Sequence, residues 1–349
     1  MTDPADPAHA RLAHLWRRGC AFLGVRYAIM GGAMSWLSER SLVSAISNAG
    51  GFGVLACGSM GPAQLGEEIR ATQAMTTMPF GVNLITMHPQ LDALIDVCGA
   101  FKVSHVVLAG GLPSSGSIRR AKDTGAKVIC FSPAVVLARK LIRSGADALV
   151  IEGNEAGGHI GPVSTSVLAQ EILPEVDAVP VFVAGGIGRG EAMLAYLEMG
   201  AAGCQLGTRF VCATESIAHR DFKAAFIRAQ ARDAVVSQQV DPQFPVIPVR
   251  ALANRGTELF METQRQVIGR FRAGELNQKE AQLEIEHFWA GALRRAVIDG
   301  DVELGSLMAG QSVGMVTREQ PTREIIAELV EQAVSAIAAR EGAHAGVAA

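Results

Sequence analysis

The stretch KVICFSPAVVLARKLIRSGADALVIEGNEAGGHIGP, residues 127–162, holds one complete strand–helix–strand unit of this chain. It opens with a short apolar run, KVICF, continues with a segment of helical spacing, PAVVLARKLIRSG, and returns to a second apolar run, ALVIE. Short continuous apolar runs are typical of parallel strands that are buried on both faces, and glycine commonly ends a helix. The stretch therefore predicts a strand, a crossover helix and a parallel strand, followed by a glycine-rich loop.

The same alternation continues along about 210 residues. The apolar runs are RYAIM (26–30), FGVLA (52–56), FGVNL (80–84), HVVLA (105–109), KVICF (127–131), ALVIE (148–152), PVFVA (180–184) and GCQLG (203–207). Strands that alternate with helices favour an α/β fold, and units of this number and length fit a closed (β/α)₈ TIM barrel. The rival is an open doubly wound sheet, which would carry G-x-G-x-x-G after its first strand. That position reads MGGAM (30–34), so we predict the barrel.

The sequence changes character after GTRFVCATES (207–216) and becomes rich in Arg, Gln, Glu and Ala with helical periodicity. We predict a small helical lid or substrate domain over residues 216–300, inserted after the last strand. The barrel would then comprise residues 20–215 and 301–340, the latter ending in an amphipathic helix that packs on the barrel. Residues 1–19 and 341–349 are predicted to be flexible ends.

Composition narrows the class of protein. The formal net charge of −3 gives no electrostatic reason to expect nucleic acid or an anionic membrane as a partner. The start of the chain lacks an apolar signal-peptide core, and no apolar run is long enough to span a bilayer, so we expect a cytoplasmic protein. The six cysteines form no C-x-x-C pair and the eight histidines no H-E-x-x-H motif, so we predict no metal site.

Glycines concentrate after the predicted strands, where a barrel carries its function. The loops after the seventh and eighth strands read AGGIGRG (184–190) and LGTRF (206–210). Backbone amides at Gly186 and Gly207, together with the Thr208 hydroxyl, are suited to cradle a phosphate, and a helix N-terminus near Gly190 would add a favourable dipole. The alternative is that these glycines only make tight strand–helix turns.

The loop EGNEAGGHIGP (152–162) contains one histidine, His159, among glycines and two carboxylates. His159 is either a turn residue bonded to nearby backbone or an active-site group that exchanges a proton near neutral pH. Glu152 and Glu155 lie close in sequence, and a carboxylate that approached the ring would favour its charged form. These alternatives remain open at the level of the residues alone.

Several of these segments carry a family resemblance. The pieces IMGGAMSWLSERSLVSAISNAGGFGVL, FGVNLITMHP, EGNEAGGHIGP, VFVAGGIGRGEAM, GAAGCQLGTRFVCATES and GDVELGSLMAGQSVGM appear in order from about Tyr27 to Met315. The chain resembles the nitronate monooxygenase (2-nitropropane dioxygenase) family of FMN-dependent barrels, which includes FMN-dependent enoyl-acyl-carrier-protein (ACP) reductases. The resemblance implies a TIM barrel with FMN at the C-terminal mouth.

Carried over residue by residue, the resemblance implies one catalytic residue and a set of FMN-binding residues. His159 matches the active-site histidine of the family. The cofactor-binding set is Gly32, Ala33 and Met34 against the flavin ring, Asn83 at its side, Gly157 and Gly158 beside the cofactor, Ala184, Gly185, Gly186, Leu206, Gly207 and Thr208 at the phosphate, and Gln311 toward the flavin. The chain departs from the family at Ala33, where many relatives have Pro, and at Phe131, near which some nitronate-oxidising relatives have Lys.

The leading functional hypothesis is therefore FMN-dependent oxidation of alkyl nitronates with O₂ to carbonyl compounds and nitrite. The first alternative is an NAD(P)H-dependent FMN reductase of an enoyl thioester or a quinone, because GDVELGSLMAGQ looks at least as close to that branch. A third hypothesis is a barrel that binds flavin or phosphate without turnover. The partner is a small molecule, with O₂ or NAD(P)H as co-substrate. The apolar segment around Phe288 and Trp289 is consistent with either a lid or a homodimer surface.

Overall fold

The computed structural model describes residues 6–241 and 247–347. Within them the strands are β1 (Ile29–Gly31), β2 (Gly53–Ala56), β3 (Phe80–Ile85), β4 (His105–Ala109), β5 (Lys127–Phe131), β6 (Ala148–Glu152), β7 (Gly158–His159), β8 (Val181–Ala184), β9 (Gly203–Leu206), β10 (Ala234–Val236) and β11 (Val249–Leu252). The helices are α1 (Pro7–Leu15), α2 (Arg17–Leu23), α3 (Arg40–Asn48), α4 (Pro62–Met75), α5 (Leu91–Ala100), α6 (Ser115–Asp123), α7 (Val135–Arg143), α8 (Thr165–Ile172), α9 (Gly190–Glu198), α10 (Thr208–Val211), α11 (Arg220–Arg228), α12 (Arg255–Arg272), α13 (Gln278–Val297) and α14 (Thr322–Val347). Short 3₁₀ turns cover Leu173–Glu175, Ala231–Asp233 and Gln311–Met315.

Eight parallel strands form the central sheet in the order β1-β9-β8-β6-β5-β4-β3-β2. A parallel bridge between Met30 and Phe52 joins β1 to β2, and the Gly31 amide donates to the Phe52 carbonyl at 2.8 Å. These contacts close the sheet, so the predicted (β/α)₈ TIM barrel is confirmed. The eight observed strands fall on the eight predicted apolar runs, because an apolar run buried on both faces is a local signal.

Helix α3 packs directly on the outside of the barrel. A side chain at Gly53 would place its Cβ 2.3 Å from the Val43 carbonyl oxygen, and one at Gly31 would lie 2.6 Å from the Ile46 Cδ1 atom. Glycine at both positions allows this close approach of helix and strand. These contacts also show that Gly31 faces outward, which sets the orientation of every residue in register with it.

The prediction of a flexible amino-terminal segment is wrong for residues 6–19. Asp6 caps α1 by accepting from the Ala8 amide at 3.2 Å, and Pro7 occupies the first turn. Ala8, Leu12 and Trp16 recur every four residues and are buried, with α1 packed against α14. At the other end α14 continues to Val347 rather than ending at residue 340. Residues 1–5 and 348–349 lie outside the described residues.

The segment predicted as a helical lid contains α11, α12 and α13, and also two strands that the sequence analysis did not predict. Strands β10 and β11 pair with each other, and β11 pairs with β7 from the loop after β6. A separate apolar cluster holds α12 and α13 together, with the Phe260 and Trp289 ring centroids 4.1 Å apart. Trp289 therefore packs inside this segment.

No helix among the described residues is both long and apolar enough to cross a membrane.

Candidate active site

The register of the barrel strands identifies the residues that line its carboxyl-terminal mouth. Because Gly31 faces outward, its neighbour Met30 faces the barrel interior. Met30 is in register with Gln205, Gln205 with Ala184, and Ala184 with Glu152. Glu152 and Gln205 therefore share one inward-facing level at the ends of β6 and β9.

Three polar side chains at this mouth have few partners or none. The Asn83 amide donates only a long contact, 3.4 Å, to the Val107 carbonyl. Among the described residues, the side chains of Gln205 and Glu152 have no hydrogen-bond partner. Buried polar groups are normally paired, so two side chains without a partner at one level, Glu152 and Gln205, are typical of a site that a ligand completes.

Glu152 is the carboxylate of this set. It is the last residue of β6 and is partly exposed into the mouth. Burial raises the pKa of Glu152 to about 7, because the surrounding protein disfavours the charged form. In the sequence Glu152 stands out only as a neighbour of His159, whereas in the structure it faces the barrel interior.

The loops after β8 and β9 form a candidate phosphate cradle. Gly185 and Gly186 have positive φ angles of 97° and 71°, which turn the chain back after β8. The amides of Gly186, Gly207 and Thr208 donate to no acceptor among the described residues. The Thr208 hydroxyl accepts from the Gly310 amide at 3.0 Å, which leaves its own hydrogen available as a donor. Unpaired amides beside a hydroxyl suit a phosphate group.

The first amide of the helix that begins at Gly190 already has an acceptor within the protein. The Gly190 amide donates to the Gln332 Oε1 atom at 2.8 Å. A Cβ at Gly190 would lie 2.0 Å from the Leu329 carbonyl oxygen, so this glycine permits the close contact of α9 with α14. The first amide of this helix is therefore occupied by α14, whereas the predicted contribution of the helix dipole to a phosphate remains a prediction.

The loop after β1 adjoins the cradle. The Gly32 amide donates to the Leu206 carbonyl at 2.8 Å, and the Ser38 hydroxyl both accepts from the Met34 amide and donates to the Gly32 carbonyl. A Cβ at Gly207 would lie 3.5 Å from the Met34 sulfur atom. Residues 32–34 thus lie beside the ends of β1 and β9, where the resemblance places the flavin.

Glu155 holds the loop after β6 in place. Its carboxylate accepts from both the amide and the hydroxyl of Thr165, each at 2.7 Å. Thr165 is the first residue of α8, so Glu155 satisfies a free amide at a helix N-terminus. Glu155 is thus tied to α8 through this contact.

His159 lies in β7, at the edge of the lid. It is in register with Val249 of β11, and its side chain is exposed. The neighbouring Arg250 is buried and donates to the carbonyl oxygens of Asn154 and Ala234, at 2.9 Å and 2.6 Å. Arg250 thereby ties the lid strand to the loop that carries His159.

The carboxyl-terminal segment packs against the same loop. A Cβ at Gly157 would lie 2.6 Å from the Gly310 amide nitrogen, and the Gln311 amide donates to the Glu155 carbonyl at 2.9 Å. Gly158 has a positive φ of 79° and lies beside the Met308 sulfur atom. Gly157 thus meets backbone from residues 309–310, whereas the predicted contact of Gly157 with the cofactor remains a prediction.

The structure therefore gathers the predicted site residues at one end of the barrel. They lie on the ends of β1, β3, β8 and β9, on the loop after β6, and on the segment that begins at Gly310. Sequence reasoning did not identify Gln205, although a lone glutamine within the apolar run GCQLG was a usable signal. The donor set fits FMN: unpaired amides with a hydroxyl suit its phosphate, and Asn83 and Gln205 suit the polar edge of its ring.

Comparisons with known proteins agree with this geometry. The sequence model of the family described as Nitronate monooxygenase matches residues 18–96 and 89–332. The chain is similar in structure to FabK from Thermotoga maritima, with 36% identity, a TM-score of 0.83, and 93% of this chain and 98% of that chain covered.

Two further proteins are similar to this chain. One is the (3aS,4S,5R,7aS)-5-hydroxy-7a-methyl-1-oxo-octahydro-1H-indene-4-carboxyl-CoA dehydrogenase of Mycobacterium tuberculosis, which is 30% identical over 90% of this chain and 94% of its own length. The other is a nitroalkane oxidase from Streptomyces ansochromogenes, with 26% identity, a TM-score of 0.74, and 90% of this chain and 98% of that chain covered.

Proposed function

Because this chain belongs to the nitronate monooxygenase family and is an FMN-dependent oxidoreductase, we propose that its substrate is an acyl thioester. In this proposal NAD(P)H is the electron donor and an α,β-unsaturated thioester is the acceptor. Bound FMN supplies the two-electron transfer between them, and the protein supplies position and protons.

The charge of the mouth is the observation that carries this proposal. At the ends of the barrel strands the inward-facing side chains include Ala56, Asn83, Phe131, Glu152 and Gln205, as the register requires. None of these is a Lys or Arg, and one is a carboxylate. An anionic nitronate placed here would be desolvated beside Glu152 without a paired cation, whereas a neutral thioester avoids that cost.

An apolar rim borders the same mouth on the side of β3, β4 and β5. We define it by Met87, Leu112 and Val136, whose exposures are 65%, 46% and 74%. Met87 reaches the loop after β4, since its Cγ lies 3.8 Å from the Cβ position of Gly111. Exposed apolar side chains grouped at a mouth are typical of a binding surface, and an acyl chain is a suitable occupant.

The names of two similar proteins agree with a thioester. FabK is an enoyl-ACP reductase, and the mycobacterial relative is a dehydrogenase of a carboxyl-CoA compound. Both are more similar to this chain in identity than the nitroalkane oxidase is. In this scheme His159, at the edge of the mouth, holds the proton that the α-carbon of the substrate requires.

Anaerobic mixing tests the proposal. We expect NAD(P)H to bleach the visible absorbance of the FMN-loaded protein and crotonyl-coenzyme A to restore it. Bleaching by an alkyl nitronate but not by NAD(P)H would overturn the proposal. No response to either reagent, in a protein that binds FMN, would support a barrel that binds flavin without turnover.

Oxidation of alkyl nitronates with O₂ is the second candidate function. It is supported by the family itself and by the likeness to the nitroalkane oxidase. Phe131, in place of the Lys of some nitronate-oxidising relatives, counts against it. Production of nitrite from propyl-2-nitronate at a rate above that of thioester reduction would favour this candidate.

A further inference from the structure

We propose that Glu152 is the proton-accepting group of the cofactor site and takes up one proton when the bound flavin accepts two electrons. The proposal depends on FMN binding but not on which substrate is correct. Neither the packing of the fold nor the phosphate cradle explains why a carboxylate stands at this position.

The position of Glu152 is the first argument. It faces the barrel interior at the level of Ala184 and Gln205, next to the end of β8 that leads into the phosphate cradle. A group that binds at this level lies against this side chain. Coverage removes the remaining water from the carboxyl group, and a carboxyl group without water favours its neutral form.

The absence of a partner is the second argument. Among the described residues no cation or hydrogen-bond donor pairs with the Glu152 carboxylate, and burial alone raises its pKa to about 7. By contrast, Glu155 in the same loop accepts two hydrogen bonds from Thr165. A carboxyl group that titrates near neutrality and has no structural bond is free to change its protonation during turnover.

Within residues 6–241 and 247–347, few other charged or titratable groups lie on the elements next to Glu152. Its own loop carries Glu155 and His159, and the lid strand β11 carries Arg250, which is bonded to the Asn154 and Ala234 carbonyls. The neighbouring strands present Phe131 and Ala184, which do not titrate. His159 is therefore the side chain whose contribution must be separated from that of Glu152.

Proton uptake by Glu152 follows from the negative charge that the cofactor gains on reduction. A hydride from a nicotinamide donor carries two electrons and one proton to the cofactor, which gains one negative charge. That charge disfavours a carboxylate nearby, so Glu152 takes a second proton from solvent and becomes a neutral carboxylic acid. Since Glu152 is already neutral well below pH 7, this uptake occurs only above about pH 7.

Potentiometric titration of the FMN-loaded protein between pH 6 and pH 9 tests the proposal. Each proton taken up with two electrons adds about 30 mV per pH unit to the slope of the midpoint potential. We expect the wild-type slope above pH 7 to be steeper by one proton than that of Glu152→Gln. The two proteins should have the same potential at pH 6, and the variant the higher potential at pH 9.

Matched variants test whether the steep slope of the midpoint potential comes from Glu152. Glu155→Gln, which alters a carboxylate of the same loop, should keep the steep slope, and so should His159→Asn. Parallel titrations of wild type and Glu152→Gln over the whole range would overturn the proposal, as would loss of the steep slope in His159→Asn alone.

A second measurement uses only the wild-type protein, so it does not depend on whether a variant folds. The reduced-minus-oxidised infrared difference spectrum of the wild-type protein at pH 8.5 should show a new carboxylic-acid carbonyl band that shifts on ¹³C labelling of glutamate. Absence of that band would also overturn the proposal. Neither measurement involves a thioester, so failure of the proposed substrate and failure of this proposal are distinguishable.

Discussion

The two ends of the barrel treat their polar groups in opposite ways. At the amino-terminal end, His105 is buried, and its Nε2 atom donates to the Phe22 carbonyl at 3.1 Å while Nδ1 contacts the Ser104 hydroxyl at 2.9 Å. Lys127 donates to the same Phe22 carbonyl at 2.5 Å. At the carboxyl-terminal end, Glu152 and Gln205 have no partner among the described residues.

Aromatic side chains also pack around the polar groups of the amino-terminal end. The His105 ring lies 5.2 Å from that of Phe22 and 4.9 Å from that of Phe52, so α2 closes the amino-terminal end. The closed end gains stability because its polar groups are satisfied within an apolar layer. The open end forgoes that stability, and its unpaired groups are available to a ligand. The contrast teaches that unsatisfied polarity, more than polarity itself, marks the functional end of this barrel.

The largest expected effect is at the open end. His159→Ala should lower turnover by about 10²–10⁴-fold, because a positioned acid or base contributes that much to a proton-transfer step. We expect FMN affinity and the melting temperature to be close to those of wild type, because the side chain is exposed. Stopped-flow kinetics and FMN titration measure the two quantities, and unchanged kinetics would assign His159 to the turn.

The next effect belongs to the closed end. Burial lowers the pKa of His105 to about 4, whereas the pKa of histidine in an unfolded chain is about 6.5. The unfolded state therefore binds more protons between these values, and stability is lost as the pH falls from 6.5 towards 4. The shift corresponds to about 3 kcal/mol of unfolding free energy.

Urea unfolding at pH 7 and pH 4.5 measures the effect of His105. His105→Gln, which does not titrate, should lose less unfolding free energy than wild type between these pH values. An equal loss in both proteins would mean that other groups cause the acid sensitivity.

A smaller effect on stability is expected at Glu155, which is bonded to α8, unlike Glu152 in the same loop. Glu155→Ala should lower the unfolding free energy by about 1–2 kcal/mol, because the Thr165 amide loses its acceptor, while the Thr165 hydroxyl can still donate to the Gly185 carbonyl at 3.1 Å. Glu155→Gln retains an acceptor oxygen and should lose less. Chemical denaturation of the FMN-free protein measures both, and a neutral Glu155→Ala would contradict the capping role.

The smallest expected effect is at Gln205, a polar side chain of the open end. Gln205→Leu should raise the unfolding free energy of the FMN-free protein by up to about 1 kcal/mol, because a largely buried polar side chain that has no hydrogen-bond partner among the described residues is replaced by an apolar one. The same change should weaken FMN binding. Ser104→Ala, at the closed end, should instead destabilise the protein. Destabilisation by Gln205→Leu without FMN would show that Gln205 has a structural partner.

Much of the barrel was predictable because its signals are local. Each strand is a short apolar run and each crossover helix has its own period, so the eight strands follow from neighbouring residues alone. The amino-terminal helix was missed, although Ala8, Leu12 and Trp16 have helical spacing, because its stability comes from α14 at the far end of the chain. The strand β11 was missed for a partly similar reason: it pairs with the nearby β10, and also with β7, which lies in a loop ninety residues earlier.

The candidate site divides in the same way. The glycines and His159 stand out in the sequence because their spacing matches a family pattern. The different roles of Glu152 and Glu155 cannot be seen in the sequence, since both are carboxylates of one loop and differ only in what they face. Gly157 and Gly190 were predicted near the cofactor or its phosphate, but each also accommodates backbone from a distant segment.

The eight strand–helix units, the family and the loop that carries His159 all follow from the order of the amino acids, because they depend on local periodicity and motif spacing. Only the tertiary structure decided which residues of each strand face inward, that Glu155 is bound to α8 while Glu152 is not, and which amides are left unpaired at the mouth. Those facts depend on strand register and on contacts between distant segments, and a residue's own neighbours in sequence do not specify them.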